Sequence, residues 1–298
     1  MTEVTDIHPD SRERNAASRF IGHLFANPGT LASGLVLLFF AVVALLAPLL
    51  APHDPYTQDI AHRLLKPVWM AGGSPDHLLG TDGFGRDYLS RLIYGSRVAL
   101  IIGISVMLLS GLIGTTLGMV AGFYGGRVDQ VLMFVINTRL ALPVFLVAMA
   151  VVVVFGASLS VTILVLGLFQ WDRFVIVARS ATLQNVGLEY VQAARAIGAS
   201  SPRILATEIL PNVMDAIVVI ATIEMAYAIL LESALSFLGF GVQEPTASWG
   251  LMLAQARQYM FFDPWLLYIP GVALLILVLA INVFGDSLRD LLRKGAKA

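Results

Sequence analysis

Apolar positions in this chain fall into long blocks separated by polar segments, with little of the alternation of a half-buried strand. Residues 1–30 are polar, and the apolar run 31–51 that follows is long enough to cross a hydrocarbon core of about 30 Å. It also exceeds the usual core of a signal peptide, so it reads as an uncleaved first span, with cleavage after Ala51 the weaker alternative. Residues 52–97 turn polar, rich in proline, glycine and charge, and lie outside the hydrocarbon. Within them Asp82 stands four residues before Arg86 and Asp87 four before Arg91, with Tyr88, Leu89, Leu92 and Ile93 on an apolar side, a pattern that predicts an interfacial helix.

Residues 98–290 form the remaining apolar core. A second span covers about 98–124 and carries Gly114, Gly118 and Gly122 on one face, where a neighbouring helix of this or another subunit can approach closely. A third covers 131–155 with Arg139 and Pro143 in its first half, and a fourth covers 159–177, with Trp171, Asp172 and Arg173 at its interfacial end. A polar stretch, 189–212, precedes a fifth span at 213–238; an outer loop to 262 leads to a sixth at 265–284, and 291–298 form a basic tail. The expectation is an all-α membrane protein of six spans with both termini on the side of the polar stretch. That side holds eleven Lys and Arg against six on the other, Arg139 and Arg173 being left out, which makes it cytoplasmic.

Composition agrees: 57% of residues are apolar, only 13% are charged, and the mean hydropathy is +0.80. A net charge of −1 points to no nucleic-acid partner, and the absence of cysteine removes disulfides and thiolate metal sites. The five histidines lack the spacing of a helical metal site and read mostly as solvated bystanders, so no metal site and no catalytic residue is assigned. No HExxH, GxSxG or cysteine nucleophile is present, and none of the three lysines follows a glycine, so there is no phosphate loop.

The polar stretch starts as a helix. Its alanines favour that conformation, Tyr190, Ala194, Ile197 and Ser201 can rest on a partner surface, and Gln192, Arg195 and Ser200 stay wet; Gly198 and Pro202 then interrupt it, which predicts an elbow. Acidic Glu189, the pair Ala193 and Ala194, then Gly198, then Ile209, Leu210 and Pro211 resemble the EAA signature of membrane subunits of ATP-binding-cassette importers. Leu79 to Arg91 resembles Leu-Gly-Thr-Asp-x-x-Gly-Arg-Asp-x-x-Ser-Arg of the dipeptide, oligopeptide and nickel branch, and 232–241, 245–253 and 285–290 resemble other segments of that branch. Family members often continue with Asp-Pro after the last of these, where this chain has Leu-Leu-Arg-Lys.

The resemblance implies a type I importer permease fold in a bacterial cytoplasmic membrane and a coupling helix, carried by Glu189, Ala193, Ala194, Gly198, Ile209 and Pro211, that docks on a cytosolic ATPase. It also implies a heterodimer with a second, homologous permease, two ATPase subunits that bind ATP and magnesium in place of any cofactor on this chain, and a periplasmic or lipid-anchored binding protein. Peptides are the expected cargo, with nickel chelates or glutathione as alternatives. Asp82, Arg86, Asp87 and Arg91 form the branch signature on the periplasmic side; read physically alone, they make a salt-bridged surface helix.

Ionisable groups inside spans are costly, about 2.5 to 3.5 kcal/mol each on insertion scales, and usually face a cavity or a partner. Arg139, Glu224 and Glu232 are therefore candidate pathway residues. Glu224 and Glu232 are eight apart on one face of the fifth span. A bundle-internal hydrogen bond for Glu232 is equally open, and a proton-coupled secondary transporter is the competing class, although no internal repeat is evident.

Overall fold

The computed structural model describes residues 28–295, with side chains to Leu292. The N-terminal segment 1–27, with Arg12, Arg14 and Arg19, and residues 296–298 lie outside the described part. Helix α1, Pro28–Leu45, is the first apolar run; it ends near Leu46, and a short α2, Ala47–Leu50, carries Pro48 at its start, where a proline lacks no needed bond. From there to Asp87 the chain is turns and loop, apart from one 3₁₀ turn at Ile60–His62.

Helix α3, Tyr88–Tyr124, has 37 residues and is about 55 Å long, well over the thickness of a hydrocarbon core. The expected interfacial helix is thus the first turns of α3 and begins only at Tyr88, because Asp87 caps it through the Ser90 N–H. The expected third span is broken: α4, Gly126–Leu140, and α5, Val144–Phe155, meet at 78° across residues 141–143. Pro143 excludes helical geometry from the residue before it and cannot donate back into α4. Helices α6, Leu159–Phe169, and α7, Asp172–Asn185, form one apolar stretch that extends beyond the expected 177, which places Asp172 and Arg173 within it and not at its end.

The polar elbow is α8, Glu189–Ala196, followed by α9, Ser201–Ile204. A π-helical turn, Leu205–Ile209, joins α9 directly to α10, Leu210–Phe237, so the fifth span is a continuous helix from Ser201 to Phe237 and Pro211 lies inside it. The Leu210 N–H reaches back five residues to the Leu205 carbonyl, and the extra residue in that turn accommodates the missing donor of Pro211. The loop after α10, expected to lie outside, contains an unexpected helix, α11, Trp249–Ala256, and α12, Trp265–Gly295, runs past the expected 284 into the tail. Among the described residues five helices are long and apolar enough to cross a membrane, or six when the α4–α5 pair is one span.

Helix α3 is the spine. Its glycine face lies on α7 of the same chain: a Cβ at Gly114 would meet Trp171 and Phe174, at Gly118 Val175 and Ala178, and at Gly122 Arg179 and Thr182. Helix α10 packs on α3 and α12, and α12 on α1, where the Thr30 hydroxyl donates to Ser287 at 2.8 Å. Much of the apolar surface of α1 and α5 stays outward, including Leu35, Phe39, Val153 and Phe155, which in a bilayer is satisfied by lipid or a neighbouring subunit.

Candidate functional site

Three groups of polar residues interrupt this bundle. At the C-terminal end of α3, α8 lays Val191 into an apolar cluster with Phe174, Ile204, Ile209 and Val213, while Glu189, Gln192, Ala193 and Arg195 stay exposed. Tyr190 is half-buried and donates to Asn185 at 2.9 Å, and the Arg195 guanidinium sits 4.8 Å over the Phe123 ring. The helix stops at Gly198, whose φ is +81°, with Gly198 N–H on Arg195 and Ala199 N–H on Ala194. Pro202 does not break a helix; it starts α9. Ile197, expected on the resting side, is 86% exposed, because the turn begins at it and points it away from the bundle. Of the signature residues, Ile209 is buried against the bundle and Pro211 exposed.

Midway through the bundle, four charges come together. Arg139, in the last turn of α4, is 3.0 Å from Asp172, and Arg173 is 3.0 Å from Glu224 on α10 and 5.0 Å over the Tyr227 ring. Asp172 and Glu224 are buried, whereas Arg173 is half exposed, so two acids and two bases balance with one cation open. Arg139 Nε and Nη2 and both polar atoms of buried Gln170 have no partner among the described residues. Asp172 was expected to reach interfacial water; the α6–α7 junction holds it inside instead. Glu232 is separate: buried two turns further along α10, it accepts from the Ser236 hydroxyl at 2.7 Å, and that oxygen accepts from the Val242 N–H at 2.9 Å. Ser236 thus links Glu232 to the start of the loop after α10.

At the opposite end of α3, Asp82 organises a turn and two arginines. One carboxylate oxygen accepts from the N–H groups of Phe84 and Arg86 at 2.9 and 3.0 Å; the other takes Arg86 Nε at 2.7 Å and lies 3.4 Å from Arg91 Nε. Arg86 also grips Glu244 with both terminal nitrogens, at 2.5 and 3.1 Å, and Gln255 at 3.2 Å. Asp82 and Arg86 do pair, but on a turn. Asp87 does not pair with Arg91: it is occupied by Ser90 and His77, and Arg91 donates to the Pro55 carbonyl at 3.3 Å. Burial alone would raise the Glu244 pKa from its ordinary 4.5, but the hydrogen bonds and charge of Arg86, with the charge of Arg91, outweigh it and hold the carboxyl lower. Glu244 was absent from the sequence expectations, although it is the only acidic residue between 238 and 262 and so the only acid there to meet buried arginines.

Long apolar helices, a span broken at charged residues and a polar elbow exposed at one end define a polytopic membrane protein. The chain belongs to the family of binding-protein-dependent transport system inner membrane components, whose model matches residues 114–298; residues 17–67 match the N-terminal transmembrane domain of oligopeptide transport permease C. It is thus a multi-pass inner-membrane permease subunit of an ATP-binding-cassette importer. It is 42% identical over 266 residues to the di/tripeptide transport system permease protein DppC of Pseudomonas aeruginosa (strain UCBPP-PA14), covering 89% of this chain and 88% of that protein. It is 40% identical to the dipeptide transport system permease protein DppC of Haemophilus influenzae (89% and 90% covered), and 33% identical to the probable D,D-dipeptide transport system permease protein DdpC of Escherichia coli K12 (97% and 95%). Its fold matches a chain of the MetNI methionine ABC transporter in inward-facing conformations, with a TM-score of 0.55 at 19% identity over 67% of this chain and 96% of that one.

Proposed function

We propose that this subunit carries di- and oligopeptides across the membrane, with six spans, both termini and the α8–α9 elbow in the cytoplasm, and 52–87 and 238–262 outside. The observation that carries the reading is the exposed elbow: α8 presents Glu189, Ala193 and Ile197 outward, turns at Gly198, and continues through Ile209 and Pro211 into the helix that bears Glu224. A cytosolic ATPase that takes the elbow in a groove moves α10 directly. The partners are two such ATPases, which bind ATP and magnesium, a homologous second permease, and a periplasmic or lipid-anchored binding protein; this chain supplies no catalytic residue.

Arg139 and Glu224, with Asp172 and Arg173, are our pathway candidates. Two acids and two bases offer counter-charges to both the ammonium and the carboxylate of a peptide. Glu232 has its hydrogen-bond partners within the bundle, and its proposed role is to hold the outer loop to α10.

The test is affinity purification of this subunit with its neighbours in mild detergent, followed by ATPase and peptide-uptake assays. Recovery of a second permease and of ATP-hydrolysing subunits, with hydrolysis uncoupled from uptake by Gly198 and Glu189 substitutions, is the expected result. Uptake of glutathione or a nickel chelate in place of peptide would move the cargo and leave the machine intact. Uptake driven by a proton gradient without ATP would overturn the reading.

A further inference from the structure

Beside the third group, the segment that follows α2 brings two histidines onto Asp87, the N-cap of α3. His77 Nδ1 is 2.9 Å and His53 Nδ1 3.7 Å from the same oxygen of Asp87, and the two imidazole rings lie 4.7 Å apart, centroid to centroid. One donor atom from each of the three residues lies within 4.8 Å of the other two. We propose that His53, His77 and Asp87 form a binding site for a borderline divalent transition-metal ion of the zinc class, and that the ion staples the exit of the first span to the start of α3.

The donor set selects that class. Two imidazoles and one carboxylate suit zinc and its neighbours, whereas calcium and magnesium require six or more oxygens. Tetrahedral zinc with bonds near 2.0 to 2.1 Å places its ligands about 3.3 Å apart, so shifts of roughly an ångström bring these donors to bonding distance. The supporting shell is already built. The far oxygen of Asp87 accepts from both the N–H and the hydroxyl of Ser90, at 2.8 and 2.7 Å, which fixes the carboxylate with its near oxygen toward the imidazoles. The Ser90 hydroxyl in turn accepts from the His53 N–H at 3.0 Å, and that bond locks the backbone presenting the more distant ligand.

Charge and access fit as well. Arg86 and Arg91, the neighbouring cations, are committed to Asp82, Glu244 and Pro55. The positive end of α3 opposes a cation, but Ser90 has already drawn its N–H to the other carboxylate oxygen. Asp87 is buried while the His53 side chain is 43% exposed, so an ion enters from solvent and keeps a coordination position open to water or to a group on a docking protein. The histidines escape sequence reading because they are 24 residues apart in a loop with no periodicity, and each alone reads as a solvated bystander.

The site rests on the fold and not on the peptide reading, so each can fail without the other. The test uses the assembled importer in nanodiscs, purified without a polyhistidine tag and stripped with a chelator, titrated with zinc chloride by calorimetry. Cobalt serves as the spectroscopic probe. The expected result is one ion per copy of this chain at micromolar affinity or better, a visible cobalt spectrum of nitrogen and oxygen ligation, and affinity weakened more than about tenfold by His53→Ala and by His77→Ala. Asp87→Asn keeps an N-cap acceptor and so keeps the fold, yet it too is expected to weaken binding. Zinc uptake unchanged in His53→Ala, or no uptake by the unsubstituted complex, would overturn the site and leave a hydrogen-bonded His77–Asp87 pair in its place.

Discussion

Asp82 is the centre of the polar clamp at the start of α3. It is almost fully buried and serves two arginines that are themselves 1% and 0% exposed. Removing one partner of a buried ion pair strands the other, so Asp82→Ala is expected to destabilise the folded subunit by about 3 to 5 kcal/mol, read as a lowered melting temperature of the purified complex. Glu244 gives a pH-dependent companion. A carboxyl whose folded pKa lies below its unfolded value adds stability above the unfolded value and loses it as pH falls through the folded one. The stability difference between the native chain and Glu244→Gln should therefore be flat above pH 4.5 and shrink below it, in melting curves taken across that range. The arginines of this clamp were legible in the sequence, and the Asp82–Arg86 pairing with them. Its closure by Glu244 was not, since 158 residues separate it from Arg86. At the elbow, Gly198 was legible because a glycine after an alanine-rich turn is a stop signal. A Cβ there meets nothing, so Gly198→Ala carries only the left-handed strain of about 1 to 2 kcal/mol. ATP hydrolysis with reduced peptide uptake is the expected outcome in reconstituted vesicles.

At the scale of elements, the glycine face of α3 is the firmest contact. Gly118 has the Val175 carbonyl and the Ala178 side chain against it, backbone and side chain that cannot swing away. Gly118→Val is expected to cost about 1 to 3 kcal/mol through forced separation of α3 and α7, seen as loss of accumulated, detergent-stable protein, while Gly125→Ala, where a Cβ meets nothing and only the left-handed turn is strained, should accumulate to a much greater extent. The glycine spacing announced this face; the partner, α7, came only from the structure. That the chain is a series of apolar helices was also legible from hydropathy alone; among the described residues five are long enough to cross a membrane, or six when the α4–α5 pair is one span. What hydropathy averages away are the breaks: the 78° bend at Pro143 and the helix interruption at Gln170 and Trp171 leave the composition apolar, and beside them lie Arg139, Asp172 and Arg173. Helix α11 was missed for the opposite reason, since its eight residues are too few for a periodic signal.

For the whole molecule, orientation is open to direct measurement. The chain contains no cysteine, so single cysteines report without background. A cysteine at Asp59 should react with a membrane-impermeant maleimide from outside intact cells, and one at Gln192 only after the membrane is opened; the reverse pattern would invert the topology. The pathway reading is tested at the same scale by Arg173→Gln and Glu224→Gln. Each should lower peptide uptake, and exchanging the two charges should restore folding better than transport if peptide reads the charges in their present places.

The π-turn at Leu205–Ile209 makes one rod of the elbow and the fifth span, with one residue more than a regular helix needs. Drawing that residue out into ordinary α-helix would screw everything beyond it by about 100° and advance it by about 1.5 Å. Glu224 would then swing off Arg173 on α7 in a motion begun at the elbow: a thread cut into the shaft, so that a pull at one end arrives in the middle of the bundle as a turn.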